Sequence, residues 1–206
     1  MKVISVKKQR KGLSSVLLLD GRELLLDTEI VLIKDLRPGV ILDDPDALLY
    51  ESDLKRAKNR ALWYLSRGDL SEKKLYEKLT AGGFSQNAVD AAVCRMCELD
   101  LINDERLANR LYEGLSQSGA SKREIIFKLQ NKGIPYDIAK QLAEEDEADE
   151  RDKIKKLIKT KYALKLDTEE GVKKVFSTLV RHGYSYSDVR EALRAYSEEI
   201  EEIEEF

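Results

Sequence analysis

Apolar positions recur along this chain at a fixed interval of fifty residues. Leu79, Leu129 and Leu179 share that spacing, as do Gly83, Gly133 and Gly183, and each glycine is followed by an apolar residue, Phe84, Ile134 or Tyr184. The register extends upstream through Leu75, Ile125 and Val175 and then Tyr76, Ile126 and Phe176. Downstream it continues through Ala88-Val89, Ile138-Ala139 and Val189. Several coincident columns at one period mark a stacked repeat architecture. Within a unit the apolar spacing of three and four residues is that of amphipathic helices.

Each unit reads as three short helices. In the second, Asn103 or Asp104 opens a helix carrying Leu107, Leu111 and Leu115, and Gly119 ends it. Ser121 with Glu124 forms a capping box for a helix through Ile125, Ile126 and Leu129. Gly133 suits the left-handed position after it, where a Cβ is penalised. Pro135 then starts a third helix through Ile138 and Leu142, in the first turn, where its missing N–H is harmless. The first unit follows as Ala61 to Ser66, Ser71 to Ala81 and Ser85 to Leu99. The third opens with a longer helix, Glu150 to Tyr162, with Ile154, Leu157, Ile158 and Tyr162 on one face.

The first fifty residues differ. Val16 to Leu19, then Asp20-Gly21, then Arg22 and Leu24 to Leu26 form a hairpin signature, and Val3, Ile4 and Val6 offer another strand. Thr28 to Leu36 reads as a short helix. The expected fold is therefore mainly α: about three tandem three-helix repeats with a small N-terminal β-hairpin region. Its expected divisions are 1–53 for the hairpin and short helix, then repeats over 54–102, 103–146 and 147–199, then an acidic tail over 200–206.

Composition adds the charge pattern. Hydrophobic residues are 42% and charged residues 36% of 206, which fits long helices with solvated faces. Net charge is −3 overall, but residues 54–197 hold 28 Lys/Arg against 23 Asp/Glu, while the last nine residues hold six glutamates and no base. The helical body is thus mildly basic and masked by its ends. No apolar run approaches a membrane span, and the N-terminus lacks an export signal, so a cytoplasmic location without membrane attachment is expected.

Catalytic signatures are missing: the chain has one histidine and no phosphate-cradling glycine loop, metalloprotease motif or nucleophile elbow. An enzyme is not expected, and neither is a cofactor or metal. Cys94-Arg95-Met96-Cys97 is a C-x-x-C, but it lies inside a helix without a second pair, so two small buried hydrophobes are the expectation. His182, just before Gly183, is expected to cap its helix end, where basic groups meet the negative pole of the helix dipole.

The basic groups are the remaining candidates for binding. Lys55, Arg56, Lys58 and Arg60 precede Trp63 and Tyr64, with Arg67, Lys73, Lys74 and Lys78 following. The middle unit offers Arg106, Arg110, Lys122, Arg123 and Lys128, and the third Lys155, Lys156, Lys159, Lys173 and Lys174. The competing interpretation of each is a solvated helix face with Asp/Glu partners. Trp63 and Tyr64 are expected in the core rather than as base-stacking groups.

The motifs resemble the RecX family. Its A-L-x-x-L helix is matched by Ala61 to Leu65, its S-x-x-x-L-x-x-K-L by Ser71 to Leu79, and its glycine plus apolar residue by Gly83-Phe84. The second-unit opening corresponds to Ile102 to Ala108, and G-x-S-K-x-x-I-x-x-x-L-x-x-K-G-I to Gly119 to Ile134. Two departures stand out: Gly68 replaces an arginine common in the family, with Arg67 beside it, and Ser116, Gln117 and Ser118 replace basic residues. The resemblance implies a monomeric negative modulator of the RecA recombinase acting in DNA repair, recombination and the SOS response. It implies binding in the groove of the RecA–single-stranded-DNA filament and suppression of ATPase and strand exchange. The alternatives are a helical module binding single- or double-stranded DNA directly, and a peptide-binding scaffold of the tetratricopeptide type, whose 34-residue period does not fit.

Overall fold

The computed structural model describes the main chain of residues 1–204 and the side chains of residues 1–198. Two compact units divide the chain, residues 1–103 and residues 104 onward.

The first unit begins with a three-stranded antiparallel sheet in the order β1 (Val3–Lys8), β2 (Leu13–Leu18), β3 (Glu23–Asp27). Strand alternation sorts the apolar runs. Val16 and Leu18 of β2 and Leu24 and Leu26 of β3 face inward, whereas Leu19 and Leu25 are exposed. At the hairpin, Gly21 takes φ +88°, the left-handed conformation that closes a three-residue loop. Helix α1 (Thr28–Ile33) follows at once, capped by the Asp27 carboxylate, and adds Ile30 and Val31 to the sheet's core.

Helix α2 runs from Pro45 to Leu65, about 30 Å long. It starts earlier than the apolar pattern indicates and passes straight through the expected division at 53/54. Asp44 accepts from the N–H groups of Asp46 and Ala47, and Pro45 fits the first turn. Its first half closes the sheet: Leu48 joins the sheet core, and buried Ser52 accepts from the Asp27 N–H at 2.7 Å. Its second half packs Ala57 and Ala61 against α3 (Glu72–Ala81) and α4 (Gln86–Glu98) through Leu75, Leu79, Val89, Val93 and Met96.

In the second unit, α5 (Asp104–Gln117), α6 (Lys122–Asn131) and α7 (Tyr136–Glu145) enclose Leu107, Ile125, Leu129, Ile134, Ala139 and Ala143. Helices α8 (Glu150–Leu157), α9 (Glu169–Arg181) and α10 (Tyr186–Glu204) enclose Leu157, Val175, Leu179, Tyr184, Val189 and Leu193. The fifty-residue columns are therefore columns of buried contacts. Gly133 and Gly183, at φ +87° and +90°, close a Schellman motif: Ile134 N–H donates to Leu129 C=O and Tyr184 N–H to Leu179 C=O. That bond is why a glycine and an apolar residue follow Leu129 and Leu179, and Gly83, at φ +79°, takes the same left-handed position after Leu79.

The third triplet departs from the others. Past α8 the helix widens into a π-helical turn, Ile158–Tyr162, and then tightens into a 3₁₀ turn, Ala163–Lys165. Thr168 caps α9, three residues before the position that Ser71 and Ser121 hold for α3 and α6. Pro135 sits one residue earlier than its expected place and is itself the N-cap of α7. Helix α10 continues through Glu204, and the acidic tail expected over 200–206 concerns side chains outside the described residues. Among the described residues, no helix is long and apolar enough to cross a membrane.

Candidate partner-binding surface

The C-terminal half of α2 presents Arg56, Arg60 and Trp63 at a spacing of three and four residues, and Arg67 follows in the turn past the helix end. Trp63 is 43% exposed, against the expectation of a core position. The repeat register explains this, since Glu113 and Ala163 hold the same column and neither belongs to the buried set. Tyr64 is half-buried against the α2–α3–α4 core, and the two rings meet edge to face with centroids 5.1 Å apart.

Cations gather on this pair. The Arg67 guanidinium lies 4.0 Å from the Trp63 ring centroid, Arg60 lies 5.2 Å from Trp63 and 5.9 Å from Tyr64, and the Lys78 ammonium of α3 lies 5.2 Å from Tyr64. Such contacts hold a cation by the ring quadrupole without neutralising it. Arg60, Arg67, Lys73 and Lys78 form no ion pair among the described residues. Lys74 bonds Glu77 at 2.8 Å, and this contact, with Lys73 nearby, holds the Glu77 carboxyl below its ordinary range. Residues 55–78 carry eight basic and three acidic side chains; Lys55, Arg56 and Lys74 are paired with carboxylates, and the remaining cations leave the ridge positive.

Other candidates are engaged within the fold. Lys55 is bonded by Asp27, at 3.1 Å, and by Glu29, and so serves the sheet. Burial opposes its charge, but the two carboxylates outweigh that and raise its pKa. Arg56 pairs with Asp53 at 3.7 Å and lies over Phe84, while Lys58 is half-buried. Lys128 bonds Glu124 at 2.8 Å. Lys155, Lys173 and Lys174 bond Asp152, Glu169 and Glu170. Arg123 and Lys156 are exposed without an ion pair among the described residues, and Arg106, Arg110 and Lys159 are engaged or exposed at the surface of their helices. Two columns, 56/106/156 and 73/123/173, are basic in all three triplets.

Lys122 belongs to a joint inside the second unit. Its ammonium donates to the Asp146 carbonyl, and its N–H donates to the Glu150 carboxylate at 2.7 Å. The Asp146 carboxylate accepts from Lys153 and from the Tyr112 hydroxyl, both at 2.8 Å. Partial burial pushes the Asp146 carboxyl upward, but the Lys153 bond, the Ala148 N–H and the Tyr112 hydroxyl prevail and hold it at about 2. Burial and the Asp146 charge drive the Tyr112 phenol far upward. Beside this, Ser121 caps α6 and donates to the His182 carbonyl at 2.6 Å, and Tyr184 donates to the Gly119 carbonyl at 2.9 Å. His182 ends α9 as expected, but its ring reaches Glu124 of α6 at 2.9 Å rather than its own helix. Residues of the G-x-S-K stretch thus hold two helix triplets together. Cys94 is exposed rather than buried, in a column that Glu144 and Arg194 share. Among the described residues, no three His, Cys, Asp or Glu side chains converge to hold a metal.

The family-model match falls on the same ground. Residues 57–96, which hold the Trp63 ridge, match the family model described as RecX, first three-helix domain. A protein of Prosthecochloris aestuarii called regulatory protein RecX is 31% identical over 147 residues, covering 69% of this chain and 95% of that one. The chain belongs to the RecX family. A Caldanaerobacter subterraneus regulatory protein RecX is also 31% identical, over 68% of this chain and 71% of its own length. A Clostridium tetani RecX is 27% identical over 92% and 91%. A crystal structure of a regulatory protein RecX superposes with a TM-score of 0.62 over 94% of this chain and 98% of that one at 22% identity, which shows a common RecX fold.

Proposed function

We propose that this RecX-family chain is a negative regulator of RecA, binding the RecA–single-stranded-DNA filament and lowering its ATPase and strand-exchange activity. Family membership supports the regulatory role. The observation that carries the geometry is the α2–α3 ridge, where Arg60 and Arg67 crowd an exposed indole and Lys78 lies over the adjoining Tyr64 ring, none with a carboxylate partner among the described residues. Uncompensated cations destabilise one another unless something anionic meets them, and a nucleoprotein filament supplies phosphate and acidic side chains. The three helix triplets, read as successive repeats, act as one non-catalytic binding body, monomeric and cytoplasmic, without a cofactor.

The test is a titration of RecA's DNA-dependent ATP hydrolysis with the full chain. Activity should fall at substoichiometric amounts, and strand exchange with it. Undiminished hydrolysis at equimolar chain would overturn the proposal.

A further inference from the structure

The ridge combines two features that call for one kind of ligand. Its three cations lie within contact range of aromatic faces, not at the ends of solvated arms paired with carboxylates. Its indole is 43% exposed, whereas Tyr64, Tyr76 and Phe84 are partly buried against the α2–α3–α4 core. An acidic protein surface would neutralise the cations but has no special use for a wet indole. An unpaired polynucleotide strand uses both, since bases stack on aromatic rings and on guanidinium planes while phosphates meet Arg and Lys.

We propose that the Trp63 ridge binds single-stranded polynucleotide directly, with a base stacked on the layer formed by Trp63 and Arg67 and with Arg60 and Lys78 meeting the flanking phosphates. This rests on the reading that the ridge faces the nucleoprotein filament, and it assigns the ridge to the strand rather than to the recombinase. Arg67, at 4.0 Å from the ring centroid, extends the stacking layer, because its outer plane is itself a platform for a base. Tyr64, edge-on to Trp63, fixes the indole from the core side. Duplex DNA keeps its bases inside the stack, so the ridge discriminates by strandedness. The preference belongs to the first triplet alone, because Glu113 and Ala163 occupy the Trp63 column in the other two.

Trp63 is the single tryptophan of the chain, so its fluorescence reports this site without a label. The full chain, without RecA, is titrated with oligothymidylate, with a duplex of equal length and with an abasic strand of equal length. Oligothymidylate should quench the emission, and the abasic strand, with the same phosphates, should bind on the order of tenfold or more weakly, as expected for one lost stacking contact. Anisotropy of a labelled strand should show a similar loss for Trp63→Ala and a smaller one for Trp63→Phe, with helical circular dichroism and melting temperature unchanged in both. Equal affinity for the abasic strand, or an unaltered Trp63→Ala, overturns the proposal. A Trp63→Ala chain that binds the strand normally yet no longer inhibits RecA also overturns it, placing the ridge on protein while leaving the regulatory reading intact. Quenching by the unpaired strand with no inhibition of RecA by the wild-type chain would support strand binding and remove the regulatory reading.

Discussion

The first and third helix triplets differ in what their basic residues are doing. The third is the richer in lysine, with six between Lys153 and Lys165 and two more on α9, yet much of that charge is spoken for. Lys173 and Lys174 reach back four residues to Glu169 and Glu170, Lys153 bonds Asp146, and Lys161 donates to the Ser118 carbonyl at 3.0 Å. The first triplet has fewer cations, and Arg60, Arg67, Lys73 and Lys78 are left without acidic partners among the described residues. Lysine density and available charge are therefore different quantities. Only the spatial pairing of each side chain separates them.

The largest effect should come from reversing the ridge. An Arg60→Glu/Arg67→Glu/Lys78→Glu chain should lose at least tenfold in affinity for single-stranded DNA at low salt, with the salt slope reduced. Equilibrium binding at two salt concentrations checks it, and an unchanged slope would mean that the ridge meets no phosphate.

Next in size is a change that damages the second unit and spares the ridge. A Cβ at Gly119, where φ is +84°, would lie 2.5 Å from Leu157 Cδ2. Gly119→Ala should cost about 2 kcal/mol, from left-handed strain plus the clash. Denaturant unfolding should show this loss while Trp63 quenching by oligothymidylate stays at its wild-type midpoint.

Acid should weaken the same joint. The Asp146 carboxyl is held at about 2, below its ordinary value near 4. Its contribution is present above the ordinary value and is lost as pH falls through the folded one, so stability should drop by about 2 kcal/mol between pH 4 and 2. Asp146→Asn should flatten that segment of the profile, and an identical slope in both chains would show that Asp146 does not set it.

The smallest effect is expected on α9. Lys173→Ala/Lys174→Ala removes two exposed helix pairs, each worth a few tenths of a kcal/mol. Strand affinity should change by less than about threefold in the same binding assay. A larger loss would put the third triplet on the contact surface.

The period of fifty carried most of the fold, because it is a period of buried contacts and of left-handed helix ends: Leu79, Leu129 and Leu179 are all inaccessible to solvent. The N-terminal half of α2 is not marked by the period because its apolar residues pack on the sheet, outside the repeat register, although Asp44-Pro45 is a readable helix start. Trp63 and Cys94 depart from what their residue types indicate, since an indole and a thiol are ordinarily core material. Their columns told otherwise, with Glu113 and Ala163 beside the first and Glu144 and Arg194 beside the second. Lys122 and Lys55 are indistinguishable in sequence from Arg60 or Lys78. What separates them is a backbone carbonyl 24 residues distant that takes the Lys122 ammonium and two carboxylates 28 and 26 residues distant that take Lys55, which only the folded chain brings near.

The central claim is that the ridge of the first triplet, and not the lysine-rich third, engages the filament. The most direct measurement is the inhibition of RecA's DNA-dependent ATP hydrolysis by three chains under one salt condition. These are the wild type, the Arg60→Glu/Arg67→Glu/Lys78→Glu chain and a Lys155→Glu/Lys173→Glu/Lys174→Glu chain. The account predicts that the ridge variant requires at least tenfold more protein for half-inhibition, while the third-triplet variant stays within about threefold of wild type. Wild-type potency in the ridge variant, with inhibition lost in the third-triplet variant, would contradict it.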